Sequence, residues 1–157
     1  VPDHKAALAA QEVKPRVGTN YPAPHAEECR SRKKRALGDQ FRLTQFGVNL
    51  TTLPPGCWSS QRHWHASEDE FVYVLEGEIT LIDDEGEHLL RPGMCAGFKA
   101  GVANGHHLVN RSGRIAHYLE VGSRMSEEDV VYSDIDMKAE KRGGGPVVST
   151  RKDGTPY

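Results

Sequence analysis

From Phe41 to about Val121 the chain is written in short alternating or apolar runs divided by Gly, Pro and Asp turns, and this punctuation is what most limits its fold. Strands of about four to eight residues fit such runs, whereas helices of ordinary length do not. Phe46 to Leu53, closed by Pro54-Pro55-Gly56, is followed by Gln61 to Trp64, Glu70 to Leu75, Glu78 to Ile82, His88 to Leu90, Met94 to Phe98, His106 to Val109 and Ile115 to Val121. The separators Glu76-Gly77, Pro92-Gly93 and Arg111-Ser112-Gly113 each carry a glycine, the residue that reaches positive φ without strain. Turn signals spaced about 8–12 residues apart predict an all-β antiparallel sandwich or barrel.

The 157 residues suit one domain. The texture divides them into an N-terminal arm with short helices over 1–40, a barrel over 41–122, and a C-terminal tail over 123–157 that packs on the barrel or a partner subunit. Within the arm, the Ala-rich stretch His4 to Glu12 predicts two or three helical turns. The basic run Arg30 to Arg35 reads as the solvated end of a helix closing near Gly38. In the tail, Gly143-Gly144-Gly145 predicts flexibility.

Twenty Lys and Arg against twenty-two Asp and Glu give a net charge of -2, which argues against a nucleic-acid or anionic-membrane partner. The apolar runs fall far short of the roughly 20 residues that span a bilayer. The start shows no basic-then-apolar signal pattern, and the chain reads as cytoplasmic. Three widely spaced cysteines fit neither a disulfide framework nor a zinc ribbon, and Cys57 and Cys95 read as small buried apolar groups.

Of eight histidines, four sit in two tight pairs, His63/His65 and His106/His107; the remainder are His4, His25, His88 and His117. On a strand, the two-residue spacing puts His63 and His65 on one face and Trp64 on the other. A loop of four residues then brings the strand beginning at Glu70 alongside, adding a carboxylate. Imidazole with carboxylate is a donor set that divalent transition metals accept.

Two motifs give this pattern a family. Gly56, His63, His65, Glu70 and Gly77 match the first motif of the cupin superfamily, G(X)5HXH(X)3–4E(X)6G, with six residues rather than five after Gly56. Gly93, Gly101, His106 and Asn110 match the second, G(X)5PXG(X)2H(X)3N, with Lys99 in place of proline and four residues between Gly101 and His106. The chain thus resembles a small single-domain bacterial cupin. The wider pattern, including Leu37-Gly38-Asp39, Phe46-Gly47-Val48-Asn49 and Asn104-Gly105-His106-His107, resembles a group of uncharacterised role.

The resemblance implies an antiparallel jelly-roll barrel in which His63, His65, Glu70 and His106 bind a divalent metal ion, Mn, Fe, Ni or Zn. Asn110 lies at the family spacing from His106, with His107 as the rival ligand. Such an ion attracts a small, anionic, oxygen-rich molecule and polarises it.

The remaining candidates depend on which face turns inward. Along Ile115 to Val121, an inward His117 is a proton-transfer candidate; the opposite choice passes that part to Tyr118 and Glu120. Phe71 and Tyr73 read as outer-face residues. Arg62 and Lys99 are possible anion contacts but read as solvated charges, and Asp134-x-Asp136 lacks the glycine and Glu of a calcium loop. Three functions remain open: a metalloenzyme of isomerase, epimerase or lyase type, an iron-dependent dioxygenase, or a non-catalytic ligand-binding or sensing module. A homodimer is the expected assembly.

Overall fold

The computed structural model describes residues 6–157, so His4 and the start of the Ala-rich stretch lie outside the described residues. The first part gives β1 (Arg16–Val17) and β2 (Lys33–Ala36), then one helical turn, α1 (Leu37–Gln40). The middle gives β3 (Phe46–Leu53), β4 (His63–His65), β5 (Glu70–Glu76), β6 (Ile79–Asp83), β7 (Gly86–Leu90), β8 (Cys95–Phe98), β9 (His107–Val109) and β10 (Ala116–Ser123). The last part gives β11 (Glu128–Tyr132), β12 (Lys138–Lys141) and β13 (Val148–Thr150).

The strands form three antiparallel sheets, ordered β1-β2-β3-β10-β5-β8, β7-β6-β9 and β13-β12-β11-β4. Together they make the all-β barrel that the turn spacing predicts. Its core includes Leu53, Val72, Val74, Ile79, Leu81, Leu108 and Tyr118. Full burial of an aliphatic side chain contributes about 1.5–3 kcal/mol, which pins the register of each strand. On β10, Tyr118 stands opposite Val74 of β5 and Thr51 of β3, and all three are buried. Period two then sends Ala116, Tyr118 and Glu120 inward, and His117, Leu119 and Val121 outward.

The first-motif glycine, Gly77, has φ of +77°, and a Cβ there would lie 2.7 Å from the Ile115 carbonyl oxygen. Both the conformation and the close approach of β10 require glycine.

The basic run does not end a helix. Lys33 to Ala36 form β2, paired with β3 in the register Lys34 to Thr51, and α1 begins after the run rather than before it. The exposed edge of β3 offers a full ladder of hydrogen bonds, which one turn of a short helix cannot match. Gly38 lies inside α1, where a Cβ would meet the Val48 backbone nitrogen at 3.1 Å.

The C-terminal segment also joins the sheets. β11 pairs with β4, β12 with β11, and β13 with β12, so the strand bearing His63 and His65 is held by residues more than sixty positions away. The triple glycine is tied down by Gly144 N–H to the Ser126 carbonyl and Gly145 N–H to the Arg142 carbonyl. Cys95 is exposed rather than buried, because its register opposite Tyr73 puts it on the outer face of the sheet. The ring of His25 packs edge-on against Tyr157. Phe71 and Tyr73 are exposed on the outer face, where alternation puts them. No helix among the described residues is long and apolar enough to cross a membrane.

Candidate metal centre

The two-residue spacing on β4 turns His63 and His65 to one side, with their Nε2 atoms 3.1 Å apart. Glu70, first residue of β5, brings Oε2 to 3.4 Å from His65 Nε2 and 3.7 Å from His63 Nε2. His106, just before β9, places its Nε2 2.9 Å from the same oxygen. Its backbone pairs with that of His63, which joins the two motifs directly. All four side chains line one cavity of about 210 Å³.

The protonation pattern explains why such a group needs a cation. His63 Nδ1 lies 2.8 Å from the Gln61 carbonyl and His106 Nδ1 3.2 Å from the Asn104 carbonyl, so hydrogen bonding assigns the ring protons to Nδ1. Their Nε2 atoms are then acceptors, facing one another, His65 and a carboxylate. Acceptors this close repel unless a proton or a metal ion lies among them. Adjacent donors on an octahedral ion with bonds of about 2.1 Å are about 3 Å apart, which the spacings of His63, Glu70 and His106 approach, all within 4.8 Å of one another; His65 adjoins His63 and Glu70 and also groups with Glu68 and Glu128. Carbonyl acceptance at the far ring nitrogen is also the usual support of a metal-binding histidine. The donor set therefore fits a divalent ion.

A proton standing in for the ion has a like effect: burial opposes ionisation of Glu70, but hydrogen bonding to His106 and His63 outweighs it and holds the carboxyl well below its usual range. Burial likewise opposes charging of His63, and its contact with Glu70 prevails, raising it. Burial lowers His65. His65 Nδ1 is buried without a hydrogen bond; the nearest carboxylate oxygen, on Glu128, is 3.9 Å away and is occupied by the Ala66 and Ser67 backbone N–H groups.

His107 lines the same cavity but is not grouped with the donor cluster. Its Nδ1 donates to the Ser60 carbonyl at 2.9 Å and its ring meets Trp58 edge-on. His117 lies on the other face of β10, bonded to Thr52 Oγ1 at 3.0 Å, and does not line the cavity. Tyr118 and Glu120 do line it. The Tyr118 hydroxyl is buried beside Thr51 with no hydrogen bond among the described residues, and burial raises it well above the usual phenol range. Glu120 Oε1 accepts from Lys34 Nζ at 2.6 Å and Asn49 Nδ2 at 3.1 Å.

Arg62 is not a solvated charge. It donates to Asp134 at 2.8 and 2.9 Å, to Asp84, and to the Gly105 carbonyl at 3.2 Å, bracing the loop before His106. Asp134 thus serves Arg62, and Lys99 is exposed. Asn110, the second-motif asparagine, is fully buried and donates to the Leu53 and Arg114 carbonyls, both at 2.7 Å.

Three contributors escape sequence reading. Phe98 stacks flat on His106, with centroids 3.5 Å apart and planes 2° from parallel. Arg32 and Lys34 face the cavity, and their only signal was the alternation of the basic run, legible once that run is a strand.

An antiparallel barrel with three histidines and a glutamate converging inside it defines the class of protein. The model of the Cupin domain matches residues 49–122. A sugar phosphate isomerase from a cupin superfamily, from Silicibacter pomeroyi, is 45% identical over 96% of each chain, with a TM-score of 0.91. A candidate sugar phosphate isomerase from Acidithiobacillus ferrooxidans is 25% identical over 96% of this chain and 95% of its own, with a TM-score of 0.77. The polyketide cyclase RemF from Streptomyces resistomycificus, 24% identical over 76% of this chain and 79% of its own, shares the fold at a TM-score of 0.60. Among curated proteins none matches. The chain belongs to the cupin superfamily.

Proposed function

We propose that this protein is a metal-dependent isomerase of a sugar-phosphate-like metabolite. The observation that carries the reading is the convergence of four metal-type donors with Glu120 and Tyr118 on the wall of one cavity. The likeness to the Silicibacter pomeroyi protein supports the same substrate class.

His63, His65, Glu70 and His106 would hold a divalent ion, which when bound acts as a Lewis acid on the carbonyl and hydroxyl oxygens of the substrate. Lys34 and Asn49 both contact Oε1 of Glu120, leaving Oε2 to take a proton from the carbon beside the carbonyl and return it to the neighbouring carbon. The hydroxyl proton moves to the former carbonyl oxygen, so an aldose and a ketose interconvert without added oxidant. Tyr118, held neutral by burial, donates a hydrogen bond to a substrate oxygen. Val72, Phe98 and Leu108 keep part of the wall apolar and limit water.

The test is a panel of aldose and ketose phosphates followed by NMR in D2O. Deuterium incorporated beside the carbonyl, abolished by chelation and by Glu120→Gln and restored by a divalent metal, is the expected result. Iron-dependent oxygen consumption instead would assign a dioxygenase; ligand binding with no product would assign a binding or sensing module.

The assembly we assign is a cytoplasmic homodimer through the outer face of the six-stranded sheet. Phe71, Tyr73 and Leu75 alternate along β5 and are all exposed, an apolar stripe suited to an identical copy. A two-subunit mass by light scattering, reduced to one subunit in Tyr73→Glu, is expected; a one-subunit mass for the natural protein contradicts it.

A further inference from the structure

Arg32 is 8% exposed, and among the described residues its guanidinium meets only carbonyl oxygens. Nη1 donates to Ser59 and Nη2 to Gly18, the latter at 2.9 Å, while Nε is buried without a partner. Carbonyl dipoles leave the charge uncompensated, and most of the N–H donors of the fork remain free. A buried cation in this state calls for an anion.

Lys34, on β2 two residues past Arg32, lines the same walls. Arg32, Lys34 and Tyr21 line two cavities at once. One is the cavity of about 210 Å³ that holds the histidines and Glu70. The other, about 660 Å³, is walled by the N-terminal and C-terminal segments, including Arg16, Asn20, Ser149 and Tyr157, with no Asp or Glu among the described residues on its wall. The two segments that flank the barrel in sequence thus build a basic chamber behind the candidate metal centre.

We propose that Arg32 and Lys34 bind the phosphate dianion of a small phosphate monoester whose hydroxyl and carbonyl oxygens reach the His63, His65, Glu70 and His106 cluster. The fork of Arg32 matches phosphate geometry and Lys34 adds a point charge. With a divalent ion present, Arg32 and Lys34 set against Glu70 and Glu120 leave two positive charges, the complement of a phosphate monoester. This assignment deepens the isomerase reading and rests on it for the far end of the ligand; the anion site itself does not require turnover.

The experiment is calorimetric titration of the full chain with inorganic phosphate, sulfate and acetate, repeated for Arg32→Lys, Arg32→Gln and Lys34→Gln. Phosphate is expected to bind the natural protein and to bind each folded variant at least about tenfold more weakly, a difference of about 1.4 kcal/mol or more. A merely structural Arg32, latching Gly18 to Ser59, would lower thermal stability while leaving phosphate affinity in Lys34→Gln unchanged. Affinity within about twofold of the natural protein in Lys34→Gln and Arg32→Lys overturns the proposal. Acetate binding as tightly as phosphate also overturns it, in favour of a carboxylate ligand. Two readouts on the natural protein separate the readings: phosphate binding with no deuterium incorporated into any sugar phosphate fails the isomerase reading and leaves the anion site standing, whereas loss of phosphate binding fails the anion site whatever the turnover.

Discussion

The ring of Phe98 lies flat against the imidazole of His106, 3.5 Å between centroids, on the side of His106 that faces β8. With Nδ1 directed at the Asn104 carbonyl, this stacking leaves the imidazole one orientation, the one that aims Nε2 at Glu70. Phe98→Ala should therefore loosen a ligand without removing it. Metal affinity is expected to fall about tenfold, in the range seen when outer supports of a ligand are lost. Equilibrium dialysis checks this, and unchanged affinity contradicts the positioning role.

Tyr118 should behave differently in folding and in turnover. Its hydroxyl is buried with no hydrogen bond among the described residues, a state that costs about 1–3 kcal/mol. Tyr118→Phe should leave thermal stability equal or raised while slowing isomerisation. A clear loss of stability would show that the hydroxyl is bonded within the fold rather than awaiting a substrate oxygen.

Arg62 braces the loop before His106, and its hydrogen bonds hold the Asp134 carboxyl below its ordinary value. A depressed carboxyl adds stability above the ordinary carboxylate value and loses it as pH falls through the depressed one. Arg62→Gln should lower the melting temperature by about 2–4 °C at neutral pH. The gap should narrow in acid; a gap that widens there is the wrong sign.

Asn110 ties two turns together through the Leu53 and Arg114 carbonyls. Asn110→Ala leaves both acceptors short of a donor and should destabilise the fold by about 2–3 kcal/mol. In the variant that still folds, metal content should be unchanged, since Asn110 touches no ligand. Denaturant unfolding and elemental analysis read the two outcomes separately.

Much of this architecture was legible because its signals are local. The run Phe46 to Leu53 is strand β3 residue for residue, and the spacing of His63 and His65 puts two imidazoles on one face, with Glu70 opening the strand that follows. What escaped depends on pairing between distant segments. Arg30 to Arg35 resembles a helix end until the free edge of β3 claims it, and only then do Arg32 and Lys34 turn to the cavity. The inward face of β10 could not be chosen from its own alternation, because both faces carry apolar and polar residues; its register against Val74 and Thr51 decides it. Cys95 was misread because a strand thiol looks the same whichever face it takes.

The central claim is that four side chains from two motifs form one metal site, and elemental analysis of protein purified without added metal tests it most directly. About one divalent ion per chain is expected in the natural protein, falling to a small fraction in His63→Ala/His106→Ala that remains folded. Full metal content in that double variant would contradict the account.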